Sequence, residues 1–275
     1  MNARLRQGLV STSLVLLVLL LAGATYQGVA TALERRRYPH PGQLVDVGGH
    51  QLHIHCLGEG TPTVVLESSA AAMSASWGWV QPEVAKTTRT CAYDRAGLGW
   101  SEAGDRPYDP GRVPEELHTL LVMAKQPPPY VLAGHALGAS FVRRFAGLYP
   151  AETAGLLIVE SDDDAERDAR LFTVSPWLAR AGLLRATRLL SDRWEGLPAA
   201  SAGPMSTFLH RPDHLTRAAR EVTRWGDAVQ LGGETTLPPG VLVRTVRANP
   251  NHEGEARKLV SAILEETAAI RGRRP

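Results

Sequence analysis

The stretch Tyr130 to Ala139, YVLAGHALGA, sets an apolar strand pattern, a tight turn and the start of a helix in one line. Gly134-His135-Ala136-Leu137-Gly138 has the spacing of a nucleophile elbow, Gly-x-Ser-x-Gly. That turn is too tight for side chains on either flank, and the following helix presents its first amides to a reacting oxygen. The central residue is Ala136, and a methyl group cannot form an acyl-enzyme. Ser140 stands one helical turn further on, about 5.4 Å of rise, too far to share the same oxyanion site. Ser68 and Ser69 have no evident activating base. His252, in Asn249-Pro250-Asn251-His252-Glu253-Gly254, is the candidate general base, because imidazole titrates near working pH; the alternative is an exposed loop histidine. Asp162 is the candidate acid, and the alternative is that Glu160, Asp162, Asp163 and Asp164 form a solvated acidic turn. His53-x-His55 has the spacing of a metal pair. Alternation on an edge strand puts both imidazoles on its polar face with no third ligand, so no metal is expected. Asp94-Arg95 reads as an ion pair within a turn that holds Gly97 and Gly99.

The elements that must position these residues are legible from pattern. Leu44 to Val47 and Gln51 to Cys56 form a hairpin about Gly48-Gly49. Thr63 to Leu66, Thr90 to Tyr93, Tyr130 to Ala133 and Leu156 to Val159 are unbroken apolar runs, the type found inside a parallel sheet. Helical spacing over Val113 to Lys125 and Leu137 to Leu148 alternates with them, which implies an α/β fold with a mostly parallel sheet. Residues 165–238 are rich in Ala, Leu and Arg, with helical stretches from Pro176 to Leu190 and from His214 to Trp225, and read as a helical cap. One strand returns at Gly240 to Val246, and a last amphipathic helix runs from about Glu255 to Ile270.

The N-terminus has another texture. Arg4 and Arg6 precede an apolar stretch, densest from Leu14 to Ala22, with no charge until Glu34. Residues 1–33 read either as a signal anchor or as a cleaved signal peptide ending near Ala22-Gly23-Ala24. In both readings the basic end stays cytoplasmic and the rest crosses the membrane, leaving the domain membrane-anchored, or secreted or periplasmic. A charged, extended linker over 34–43 follows, then a core over 44–164, the cap, and a C-terminal strand and helix over 239–275. Net charge is +2, from 30 basic and 28 acidic residues, which makes no electrostatic case for nucleic acid. The 275 residues suffice for one such domain, and no cofactor is called for.

Taken together, several stretches resemble a group of bacterial membrane-anchored α/β hydrolases. They are Tyr38-Pro39 with Leu44 to His50, Thr63 to Ser68, Tyr93-Asp94-Arg95-Ala96-Gly97-Leu98-Gly99-Trp100-Ser101, Glu116 to Leu121, the turn at Ala136, and Leu157 to Ser161. The resemblance covers roughly residues 26–175. It implies the α/β-hydrolase fold with an eight-stranded sheet and helical cap, cleavage of an ester-like substrate by a Ser-His-acid triad, and oxyanion donors at the amides of Ala70 and Leu137. It places His252 at the triad histidine. It makes the strands carrying Cys56 and Cys91 neighbours, so that a cross-strand disulfide or two buried thiols would follow. Three departures stand out. Ala136 replaces the serine; the oxyanion loop reads Ser68-Ser69-Ala70-Ala71-Ala72 where glycines are expected; and the C-terminal part of the sheet is shortened, with one strand where the resemblance implies two. Three readings are open: a hydrolase fold without serine hydrolase activity, a non-serine enzyme using His252, or a membrane-tethered binding module for a small apolar ligand.

Overall fold

The computed structural model describes residues 3–161, 165–187, 190 and 196–272. Seven strands form one sheet: β1 (Gln43–Asp46), β2 (Gln51–Leu57), β3 (Thr63–Glu67), β4 (Thr90–Tyr93), β5 (Tyr130–His135), β6 (Thr153–Glu160) and β7 (Leu242–Arg247), in the order β1-β2-β4-β3-β5-β6-β7. β1 and β2 pair antiparallel, as do β2 and β4; every other pairing is parallel. This is the α/β-hydrolase architecture.

The central strands are apolar throughout because both faces are covered. On one face Leu132 and Leu156 meet Leu117 and Leu120 of α3 (Val113–Met123) and Val142 and Phe145 of α4 (Leu137–Leu148). On the other, Val64, Val131 and Leu157 meet Trp77, Val80, Leu259 and Ile263. The last two belong to the C-terminal helix (Glu253–Gly272), which β7 enters directly through Ala248 to His252. The sheet therefore ends one strand earlier than the eight-stranded arrangement the resemblance implies.

Between β6 and β7 lies the cap: α5 (Ala165–Arg180), α6 (Leu183–Thr187), α7 (Ala199–Phe208), α8 (Pro212–Thr223) and α9 (Trp225–Gly233). With α1 at the N-terminus and α2 (Gln81–Val84) after β3, the C-terminal helix is α10. α5 packs on α8 and α9 packs on α4. Pro176 lies within α5 instead of opening a helix, and the helix continues past it for a further turn before breaking at Ala181-Gly182.

α1 (Ala3–Arg37) is one continuous helix, so residues 34–37 of the expected extended linker are helical. The reason is tertiary. Glu34 is held by an ion pair to Arg185 of the cap, with Nη2 and Oε2 2.9 Å apart. Earlier in α1, Leu14 to Leu21 are each 53–61 % exposed.

β2 is not an edge strand: β1 and β4 flank it. His53 is fully buried, its Nδ1 3.0 Å from Asp94 Oδ2 and its Nε2 bonded to the Pro41 carbonyl. The expectation of an exposed imidazole on an edge strand fails because Asp94 and the Pro41 carbonyl satisfy both ring nitrogens inside the fold. Among the described residues no cluster of three or more metal-ligating side chains occurs. Cys56 and Cys91 face each other across the β2–β4 ladder and are joined as a disulfide.

Candidate functional site

β5 runs into α4 through a single residue. Ala136 adopts φ 47° and ψ −111°, a region that non-glycine residues seldom enter. Its amide donates to the Val159 carbonyl at 2.9 Å, which ties the turn to β6, and its own carbonyl accepts from Ala139 at 3.0 Å. A Cβ on Gly134 would lie 2.6 Å from the Gly138 carbonyl oxygen, and one on Gly138 would lie 2.7 Å from that of Glu67. Both glycines are thus required by close backbone approach. The turn has the strand-turn-helix shape of an elbow, with the half-buried Ala136 methyl at its tip.

The loop after β3 comes up beside it. Ala70 packs with Leu137, Phe141 and Tyr108, and among the described residues neither the Ala70 nor the Leu137 amide has a hydrogen-bond partner. The next residue, Ala71, holds φ 58°. The loop therefore keeps a glycine-like backbone without a glycine, at a steric cost. The Ala71 amide is engaged, donating to Glu221 Oε2 at 3.3 Å.

The other candidates are scattered. His252 is exposed at the start of α10, where its carbonyl accepts from Glu255 at 3.0 Å and Ala256 at 2.8 Å. Asp162, like Asp163 and Asp164, lies outside the described residues. Glu160 is exposed, 4.0 Å from Arg247. Ser68 Oγ donates to the Met73 carbonyl at 3.1 Å. Ser140 is covered by α9, so closely that a Cβ on Gly232 would reach 2.7 Å from its Cα. A pair the sequence did not suggest sits at the turn itself: His135 Nε2 is 2.8 Å from Ser161 Oγ at the end of β6. The only hint was a histidine directly before the turn residue.

The densest polar chemistry lies under the cap. Arg95 does not pair with Asp94; the expected ion pair within the turn is replaced by longer-range contacts. Its guanidinium grips Glu221 of α8 with two bonds, 2.8 and 2.9 Å, binds Glu67 at the end of β3, and donates to the carbonyls of Ser68 and Ser69 at 2.8 Å each. Arg217 adds a contact to Glu221 at 3.1 Å. Tyr93 donates to Glu67. One arginine thus joins the sheet, the oxyanion-type loop and the cap, which is the bidentate geometry guanidinium supplies and ammonium does not. Burial alone would raise the Glu221 carboxyl, but Arg95 and Arg217 outweigh it and pull it down to about 2. Burial pushes Glu67 above the ordinary carboxylate range despite Arg95. Asp94 accepts from the amides of Ser74 at 2.6 Å and Trp100 at 2.9 Å, and although burial opposes its charge, His53 and these bonds keep its carboxyl low. His214 of α8 completes the seam: Nδ1 accepts from the Gly99 amide at 3.0 Å and Nε2 bonds to the Ala71 carbonyl at 3.1 Å. Burial lowers it to about 4, so the ring is neutral, with its proton on Nε2.

The sequence pattern described as "Alpha/beta hydrolase family" matches residues 52–268, and the chain belongs to that family. It is 27 % identical over 156 residues to the uncharacterized protein YbdG of Bacillus subtilis (strain 168), covering 55 % of this chain and 48 % of that protein. It is 32 % identical over 113 residues to an uncharacterized protein of Schizosaccharomyces pombe, 38 % of this chain and 21 % of that one. The chain thus spans half or less of these curated relatives. Among solved structures it is similar to the epoxide hydrolase CorEH (TM-score 0.66, 15 % identity, 83 % of this chain and 98 % of that one). It is also similar to a thermophilic esterase from Thermogutta terrifontis (TM-score 0.59, 15 % identity, 80 % and 94 %). At such identities these two likenesses establish the fold.

Proposed function

We propose that this chain is a membrane-held α/β-hydrolase-fold protein that has lost serine hydrolase activity and retains the fold to bind a small apolar, ester-like ligand. The observation that carries the reading is Ala136. It occupies the tip of a turn whose two glycines and strained backbone match what a nucleophile needs, and it offers only a methyl group. The exposure of His252 supports the same reading, since a general base must come within hydrogen-bond reach of the reacting atom. The seam where the cap meets the core loops is apolar, with Phe172 and Phe208 of the cap in one cluster with Met73 and Leu98 of the core, and this favours an apolar ligand.

α1 is read as an anchor. Its stretch from Arg6 to Arg37 is long and apolar enough to cross a bilayer, with mean hydropathy 2.2 over its most apolar window. The specific packing of its second half on the cap favours retention over cleavage. The Cys56–Cys91 disulfide favours a domain on the oxidising side.

The test is labelling by a fluorophosphonate probe, of the parent chain and of Ala136→Ser. Neither is expected to label. A revertant that labels and cleaves short p-nitrophenyl esters would show that the surrounding machinery is sound, and would overturn the degenerate reading. Labelling of the parent chain would overturn it outright.

A further inference from the structure

Once α1 is taken as the anchor proposed above, its length fixes where the folded domain sits, and the placement rests on that reading. Twenty helical residues rise about 30 Å, the thickness of a hydrocarbon core. Counted from Gly8, past Arg6 and Gln7, such a span ends near Gln27. The domain meets α1 before that point. A Cβ on Gly23 would come within 2.2 Å of the Ala181 carbonyl oxygen, and one on Gly182 within 2.8 Å of the Gly23 carbonyl oxygen. Gln27 is buried and donates to the His210 carbonyl at 2.7 Å. The α5–α6 corner is therefore level with the last turn of the span.

That corner shows apolar surface to the outside. Trp177 is 72 % exposed, with Val174 at 49 % one turn before it on the same face of α5, and Leu183 at 50 % at the start of α6. Arg180 stands over the Trp177 ring, 5.2 Å from its centroid, and reaches Thr216 at 3.3 Å. A tryptophan with a cation above it is what the lipid headgroup boundary accommodates: an amphipathic ring at carbonyl depth and a charge reaching toward phosphate. Two polar side chains beside the corner turn inward, Arg185 to Glu34 and Gln27 to His210. We propose that the α5–α6 corner of the cap is seated in the interfacial layer of the same bilayer that α1 crosses, with Trp177 at its lipid-facing tip.

The experiment uses the full chain in phosphatidylcholine vesicles containing lipid brominated high on the acyl chain, with tryptophan emission as the readout. Most of the bromine-quenchable emission is expected to be lost in Trp177→Phe. Introducing charge with Val174→Glu and Leu183→Glu should lift the corner and cut the quenching at least about twofold while α1 stays inserted. Equal quenching in the parent and in Trp177→Phe, with the chain resisting alkaline carbonate extraction, would overturn the seating and leave the anchor standing. Extraction of the parent chain by carbonate would overturn the anchor, and the seating with it.

Discussion

Two turns on the same edge of the sheet have been treated differently. The turn after β5 carries the shape of a reactive site and almost none of its groups: a strained Ala136, two obligatory glycines, and a Leu137 amide without a partner among the described residues. The turn after β4 carries Asp94 and Arg95, and every charge there is answered, by His53 and two amides on one side and by Glu67, Glu221 and two carbonyls on the other. The two regions touch, since Gly138 lies against the backbone and Cγ of Glu67. Under the proposed reading, the difference shows that the buried polar groups of this molecule serve to fasten the cap to the core.

The turn after β4 is most vulnerable at Arg95. Arg95→Met leaves Glu67 and Glu221 buried without their common cation, and should lower unfolding free energy by about 3–5 kcal/mol in a urea titration. Ala136→Ser should change it by no more than about 0.5 kcal/mol. If the two variants unfold alike, the asymmetry between the turns is not energetic.

A smaller effect, with a pH signature, belongs to His214. Its ordinary value of 6.5 falls to about 4 in the fold, because it is buried and its Nδ1 already accepts the Gly99 amide. The neutral ring is the folded form. Its contribution is therefore complete above pH 6.5 and is lost as pH falls from there toward about 4, where the unfolded chain takes up a proton that the folded chain refuses. The loss is of the order of 3 kcal/mol. The melting temperature of the parent should fall more steeply than that of His214→Gln between pH 7 and pH 4.5, roughly the interval over which the ring titrates. Parallel profiles would contradict it.

The mildest change is expected at Ala136 itself. If the backbone at Ala136 keeps a reactive shape that no longer serves, glycine should relax it. Ala136→Gly is expected to raise stability by about 1 kcal/mol, seen as a higher urea midpoint. A loss of that size would mean the Ala136 methyl contributes packing that outweighs the strain.

Much of this was legible in the sequence because the signals are local. Apolar runs mark strands that are covered on both faces, helical spacing marks α3 and α4, and the glycines at positions 134 and 138 mark a turn that only they permit. The shortened C-terminus was visible as a missing strand. What escaped was non-local. Nothing near Asp94-Arg95 announces Glu221, 126 residues further on. The helical character of 34–37 depends on Arg185, and the burial of His53 depends on Asp94 in the turn after the neighbouring strand. Partners supplied by tertiary structure override the local preference for a loop, an edge or a turn.

The early end of the sheet has a consequence for the chain as a material. Among the described residues no strand pairs with the outer side of β7, the condition under which one molecule recruits another into a growing ribbon. Arg244 and Arg247 stand on that strand, the first 2.7 Å from Glu265 of α10 and the second 75 % exposed along its side chain. A matching strand from a second copy would bring a second set of these bulky arginines to the same rim. A sheet that stops one strand short can stay solitary when its new border is written in arginine.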